Sequence, residues 1–159
     1  VSQSIEEVRN ITRNLRPYQI DRLGLTKAIQ SAAKNITESG ALRIETSIDS
    51  IDGLFPPECE IHLYRVVQEC LNNILKHAGA ATARLSVRRS QECVSIEVED
   101  DGRGFDYRRA TSGQGDSQGL GLSSLAERIR ILDGRMECKS SAGQGARLNF
   151  EVPIPKKHE

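Results

Sequence analysis

The most constraining feature of this chain is an alternation that stops abruptly. Val94, Ile96 and Val98 fall on one face and Ser95, Glu97 and Glu99 on the other, the period-two pattern of a strand with one side buried. The pattern then runs into Asp100-Asp101-Gly102-Arg103-Gly104-Phe105. Acid followed by glycine is ordinary turn chemistry, and alone the stretch reads first as a turn. It is also what a binding site needs, because a carboxylate accepts hydrogen bonds from a ligand amine and glycines let the backbone approach a flat ring. The neighbouring segments must decide between the two.

Upstream, Ala83, Leu85 and Val87 alternate with Arg84, Ser86 and Arg88, which predicts an antiparallel hairpin with Arg84 and Arg88 facing Glu97 and Glu99. Before it, residues 58 to 78 read as one helix. At 100° per residue, Leu63, Tyr64, Val67, Leu71, Ile74 and Ala78 form a core face. Glu69, Asn73, Lys76, His77 and His62 gather opposite, because Glu69, Asn73 and His77 are spaced i, i+4, i+8. That ridge reads as a solvated face unless a ligand meets it. Downstream, residues 106 to 118 are polar and small, a length of loop that suits a lid or binding loop. They lead to Gly119-Leu120-Gly121-Leu122 and a helix carrying Leu122, Leu125, Ile129 and Leu132, with Ser124 and Glu127 spaced as a capping box. Glycines at a helix start can bring free amides and the positive end of the dipole to a phosphate. Two strands follow, at residues 135 to 140 and 146 to 154.

Residues 1 to about 15 carry a narrow apolar seam suited to pairing with another helix, ended by Leu15-Arg16-Pro17, with a connector over 17 to 22. A broader helix over 23 to 39 is closed by Gly40, and Leu42, Ile44, Thr46 and Ile48 alternate as a strand before a loop over 49 to 57. Lys plus Arg and Asp plus Glu both number 22, so no charge excess calls for nucleic acid or an anionic membrane. No apolar run approaches the roughly 20 residues of a membrane span. Cys59, Cys70, Cys93 and Cys138 form no Cys-x-x-Cys and no zinc pattern with His62, His77 and His158, which favours reduced thiols and a cytoplasmic domain. A start at Val1 inside a helical pattern suggests a fragment of a longer protein.

Taken together, the ridge, the Asp-Gly-x-Gly and the Gly-x-Gly-Leu stand in a fixed order that resembles the ATP-binding catalytic domain of sensor histidine kinases, in the superfamily that includes gyrase, the ninety-kilodalton heat-shock chaperone and MutL. Residues Glu69 to Ala78 look like its N box, Asp101-Gly102-Arg103-Gly104 like its G1 box and Gly119-Leu120-Gly121-Leu122 like its G2 box. Leu15-Arg16-Pro17 with Leu23-Gly24-Leu25 resembles the subclass of nitrate and membrane-fluidity sensor kinases. The resemblance implies an α/β (α+β) two-layer sandwich of the Bergerat ATP-binding type, with a mixed, largely antiparallel sheet and helices on one face. It implies that residues 1–22 are a remnant of a dimerisation and phosphoacceptor hairpin, 23–155 the ATP-binding domain and 156–159 a tail. ATP and Mg²⁺ are the implied cofactors. A phosphoacceptor helix of the parent protein and a response regulator are the implied partners, in a homodimer whose membrane anchoring is left open.

Residue by residue, Asp101 would accept from the adenine amino group, with Gly102 and Gly104 close by. Asn73 would hold Mg²⁺, Glu69 would serve or assist as general base, and Lys76 and His77 would lie near the phosphates. Gly119, Leu120, Gly121 and Leu122 would offer backbone amides to them. Strand parity points instead to Asp100 on the side of Val94, Ile96 and Val98, so the motif match requires the strand to bend. Ala146 replaces a threonine common among relatives, and the lid lacks an evident aromatic motif. Two alternatives compete: a regulatory ATPase or serine kinase of the same superfamily, and a degenerate binding or dimerisation module.

Overall fold

The computed structural model describes residues 17–105 and 118–157. The expected amino-terminal helix, the expected lid over 106–118 apart from Gln118, and His158 lie outside the described residues.

The first described element is a short helix, α1 (Tyr18–Leu23), where a connector was expected. Pro17 precedes it with its ring already at φ −58°, and Gly24 ends it at φ +82°, a conformation glycine adopts freely. Ile20 gives α1 its reason to form, being almost wholly buried. Helix α2 (Leu25–Glu38) presents Leu25, Ala28, Ile29 and Ala33 to the core, on the stripe the periodicity predicts. Its start has no side-chain cap of its own. Asp52 supplies one from across the fold by accepting from the Thr26 amide at 2.9 Å, while Thr26 Oγ1 accepts from the Ile51 amide at 2.9 Å.

Strand β1 (Arg43–Ile48) leads through a loop to α3 (Pro57–Asn73), which continues as a π-helical turn over Ile74–Ala78. Strands β2 (Thr82–Arg89) and β3 (Cys93–Asp100) form the expected hairpin. Helix α4 (Gln118–Ile131) precedes β4 (Arg135–Ser140) and β5 (Ala146–Pro153). The sheet runs β1-β2-β3-β5-β4, with β1 parallel to β2 and every other pair antiparallel. The parallel pair needs a crossover, and α3 provides it.

One face of the sheet carries the core: Ala83, Leu85 and Val87, then Val94, Ile96 and Val98, then Leu148, Phe150 and Val152. Helices α2, α3 and α4 cover it with Leu25, Ile29, Leu63, Val67, Leu71, Leu125 and Ile129, which makes the expected two-layer sandwich. The other face is polar, and its pairing is partly as expected. Arg84 faces Glu99 at 3.6 Å, and Arg147 reaches the same carboxylate at 3.0 Å. Arg88 lies opposite Ser95 in the ladder and pairs with Asp49 at 3.5 Å, so it does not answer Glu97 or Glu99. The four cysteines are all free thiols, as expected.

Candidate functional site

A cavity opens where the π turn, the end of β3 and the first turn of α4 converge. Its floor is apolar, with Ile74, Val98, Leu122 and Leu148, and its polar groups are Asn73, His77 and Asp100. Cys70 and Ala146 complete the wall between them, and Phe105 and Gly104 close one side.

The strand parity decides which aspartate enters. Strand β3 stays regular through Asp100, which pairs with Ala83 on one side and Ala146 on the other. Asp100 therefore shares the face of Val94, Ile96 and Val98 and lines the cavity. Its Oδ1 accepts from the Gly102 amide at 2.8 Å. Burial pushes its carboxyl above the ordinary value, an effect opposed by the Gly102 and Ala146 amides and aided by the neighbouring Asp101 and Glu99 charges.

The expectation that Asp101 lines the pocket is corrected. Asp101 is exposed and turns back to the start of β2. There it accepts from the Ala81 and Thr82 amides at 2.9 and 3.0 Å, and from Thr82 Oγ1 at 2.7 Å. Those hydrogen bonds, the Thr82 amide first, hold its carboxyl below the ordinary range. The strand does not bend before Asp100, so the parity reading was the right one.

Gly102 and Gly104 sit where the chain packs closely on itself. A side chain on Gly102 would strike the Ala78 carbonyl oxygen, and would come within 2.8 Å of the Ala78 Cβ and of Asp100 Oδ1. Gly104 sits at φ +66° against the Ser141 carbonyl. Between them Arg103 ties the walls together. Its amide donates to Ala78 O at 2.9 Å, its Nε donates to His77 O, and its own carbonyl accepts from the Gly143 amide at 2.6 Å. The carbonyls at the end of a helix need partners, and here a loop residue supplies them.

The ridge on α3 is divided. Asn73 and His77 line the cavity, and a Cβ on Gly121 would lie 3.2 Å from Asn73 Nδ2, so α4 passes close over that amide. Lys76 is exposed and does not line the cavity. Ile74 and Ala78 keep to the core side, as periodicity assigns them, and also line the cavity where the π turn runs past it. Glu69 lies one turn earlier against α4, where Ser124 Oγ donates to its Oε2 at 3.3 Å and Arg128 Nε stands 3.8 Å from the same oxygen.

Helix α4 begins at Gln118, so Gly119, Leu120, Gly121 and Leu122 are its first turn, and Leu122 lines the cavity. Ser124 and Glu127 fall inside the helix and form no capping box, since Ser124 serves Glu69 and Glu127 pairs with Arg130 at 2.8 Å. Motif matching missed Asp100 in the cavity and, outside it, the Ser124 and Arg128 side chains that hold Glu69. Parity alone could find the first. Only tertiary packing of α3 on α4 reveals the other two.

The chain is thus an α/β sandwich with an acid-bearing cavity between helices and sheet, and comparison places it in an ATPase domain class. The chain belongs to the histidine kinase-, DNA gyrase B- and HSP90-like ATPase family, whose pattern matches residues 58–156. Among its relatives are the sensor histidine kinase ComP of Bacillus subtilis, 30% identical over 97% of this chain, and the oxygen sensor histidine kinase NreB of Staphylococcus carnosus, 33% identical over 97%. The chain spans 20% and 43% of those two proteins respectively. Solved structures of the same shape include a blue-light activated histidine kinase of Erythrobacter litoralis, with a TM-score of 0.67 at 25% identity over 82% of this chain and 42% of that one. The ATP binding domain of PrrB from Mycobacterium tuberculosis gives a TM-score of 0.63 at 25% identity over 82% and 94%.

Proposed function

We propose that this chain binds Mg-ATP and supplies the γ-phosphoryl group to a histidine on an adjoining dimerisation helix of its parent protein, from which a response regulator takes it. The observation that carries the reading is Asp100, a carboxylate in an otherwise apolar cavity beside Asn73 and His77. Burial deprives that carboxylate of water, and an adenine amino group replaces the lost donor. Guanine presents a carbonyl at the same place, which the carboxylate repels. This role passes from Asp101, where the motif match put it, to Asp100.

Asn73 fits a Mg²⁺ ion through its amide oxygen. A hard cation that takes most of its ligands from phosphate oxygens and water needs only one or two from protein. When bound, the ion neutralises charge on the phosphates. His77 and the amides of Gly119 to Leu122 flank the phosphate end, and Lys76, exposed outside the cavity, would have to swing in to reach it. Glu69 orients the attacking imidazole and accepts its proton. The imidazole nitrogen bonds to the γ-phosphorus as the bond to the bridging oxygen breaks and ADP leaves with that electron pair.

Titration with a fluorescent ATP analogue tests the reading. Binding should require Mg²⁺ for full strength, be displaced by ATP and resist displacement by GTP. Equal competition by GTP, or loss of binding in Asp101→Asn rather than Asp100→Asn, contradicts it. In the parent protein the label from γ-labelled ATP should be acid-labile, as phosphohistidine is; an acid-stable phosphoserine points to the serine-kinase alternative.

A further inference from the structure

Two side chains one turn apart on α4 converge on a single oxygen of Glu69. Ser124 Oγ donates to Oε2 at 3.3 Å, and Arg128 Nε lies 3.8 Å from it. Arg128 also meets His62, two turns before Glu69 on α3, with Nη1 3.2 Å from Nδ1. A guanidinium has no acceptor, so His62 must accept, which leaves its ring neutral with the proton on Nε2. Burial first, and the Arg128 charge second, push the imidazole in that same direction, below its ordinary value. Arg128 is only 19% exposed, and its buried Nε has no hydrogen-bond partner, because 3.8 Å is too long for a bond.

A buried N–H that stops just short of a carboxylate is costly to leave unmade. It gains by any small shift that closes the gap. Contacts of this kind are commonly long without substrate and tighten in the productive complex. The helix that carries Arg128 begins at the cavity, where Gly121 lies against Asn73, so a ligand at the phosphate end touches the same helix that grips Glu69.

We propose that Arg128, braced by neutral His62 and assisted by Ser124, is a positioning residue that fixes the charge and orientation of the Glu69 carboxylate for phosphoryl transfer. The inference rests on the function proposed above. It assigns the grip on Glu69 to the helix that follows the nucleotide loop, so the acid on α3 is set by α4. Among the described titratable groups, Arg128 from α4 faces that carboxylate, His62 reaches it through Arg128, and the buried Cys70 thiol beside it is pushed up first by burial and then by the Glu69 charge.

The test compares Arg128→Met, which keeps most of the stem, with Arg128→Lys, which restores the charge, and with Ser124→Ala. In this chain, affinity for a non-hydrolysable ATP analogue should stay within about threefold of wild type in all three, because none of these residues lines the cavity. Nitrogen NMR of His62 should show the proton on Nε2 in the wild type. In Arg128→Met the ring should titrate at higher pH, with burial still holding it somewhat down.

In the full-length protein, Arg128→Met should slow transfer by roughly 10- to 100-fold at unchanged KM, with partial recovery in Arg128→Lys. On a Glu69→Gln background the same change should cost little more. Additive losses, or a fall in affinity equal to the fall in rate, overturn the positioning role. Should Arg128→Met fail to fold, Ser124→Ala and Arg128→Lys read the same coupling to Glu69→Gln. A wild-type chain that does not bind the analogue defeats the proposed function instead, which keeps the two failures apart.

Discussion

Asp100 and Asp101 share a peptide bond and have opposite surroundings. Asp100 sits in the cavity with its carboxyl pushed up by burial, whereas Asp101 caps the start of β2 and is held down by three hydrogen bonds. Asp100→Asn should lower affinity for an ATP analogue by roughly 10- to 100-fold, the worth of one charge-assisted hydrogen bond, while Asp101→Asn changes it little. The stability effects run the other way. A carboxyl raised in the folded state costs stability when ionised, so Asp100→Asn should hold or raise the urea midpoint at neutral pH. A carboxyl lowered in the folded state contributes stability above its unfolded pKa, and that contribution is lost as pH falls through the lower folded value. Asp101→Asn should therefore lower the midpoint at neutral pH and flatten its decline below pH about 4. A steeper acid decline in that variant contradicts the capping role. Nucleotide affinity should itself fall on acidification, starting above the ordinary carboxylate range, because protonated Asp100 loses the charge that strengthens its bond to the ligand amine.

At the scale of elements, the cavity depends on a loop gripping the end of a helix. Arg103 satisfies the His77 and Ala78 carbonyls where α3 runs out in a π turn, and it anchors the β4–β5 turn through Gly143. Arg103→Met removes only the side-chain bond and should cost about 1 kcal/mol in urea unfolding, with a several-fold loss of analogue affinity. Gly102→Ala forces a methyl group onto the Ala78 carbonyl and should reduce affinity more than Arg103→Met does; equal affinity in Gly102→Ala and wild type rules out the close approach.

These elements also show what sequence can and cannot tell. The strands were legible because one buried face imposes a period of two, and the stripe of α2 because one buried face imposes a period of 3.6. The same parity carried the identity of the cavity aspartate, but a motif matched one residue out of register outweighed it. Helix α1 escaped because six residues are too few for periodicity, and Ile20 earns its burial only from tertiary packing. The π turn was invisible for a related reason. Five residues are too few to show a change of period, and Ile74 and Ala78 stay with the core, as the wheel predicts, while also lining the cavity. Ser124 looked like a cap because its partner, Glu69, is 55 residues away in sequence.

For the molecule as a whole, the cavity and the core share the same strand. Val98 and Leu148 line the cavity, and two residues along β3 and β5 lie Ile96 and Phe150, both fully buried at the centre of the sheet. Occupancy of the cavity must therefore be felt by the whole cooperative unit. Nucleotide at about 100 times its dissociation constant should stabilise the native state by about 2.7 kcal/mol, which for a domain of this size raises the melting temperature by roughly 5–10 °C. Phe150→Ala, which empties the centre of the core, should cost about 3–5 kcal/mol, and saturating nucleotide should recover part of that loss because the ligand binds only the folded form. Asp100→Asn should unfold at or above the wild-type temperature without nucleotide, yet gain only about 0.4–1.4 kcal/mol, half the wild-type gain or less, when nucleotide is added at that same concentration. If nucleotide raised the melting temperature of Asp100→Asn as much as that of wild type, the ligand would be binding somewhere other than beside Asp100.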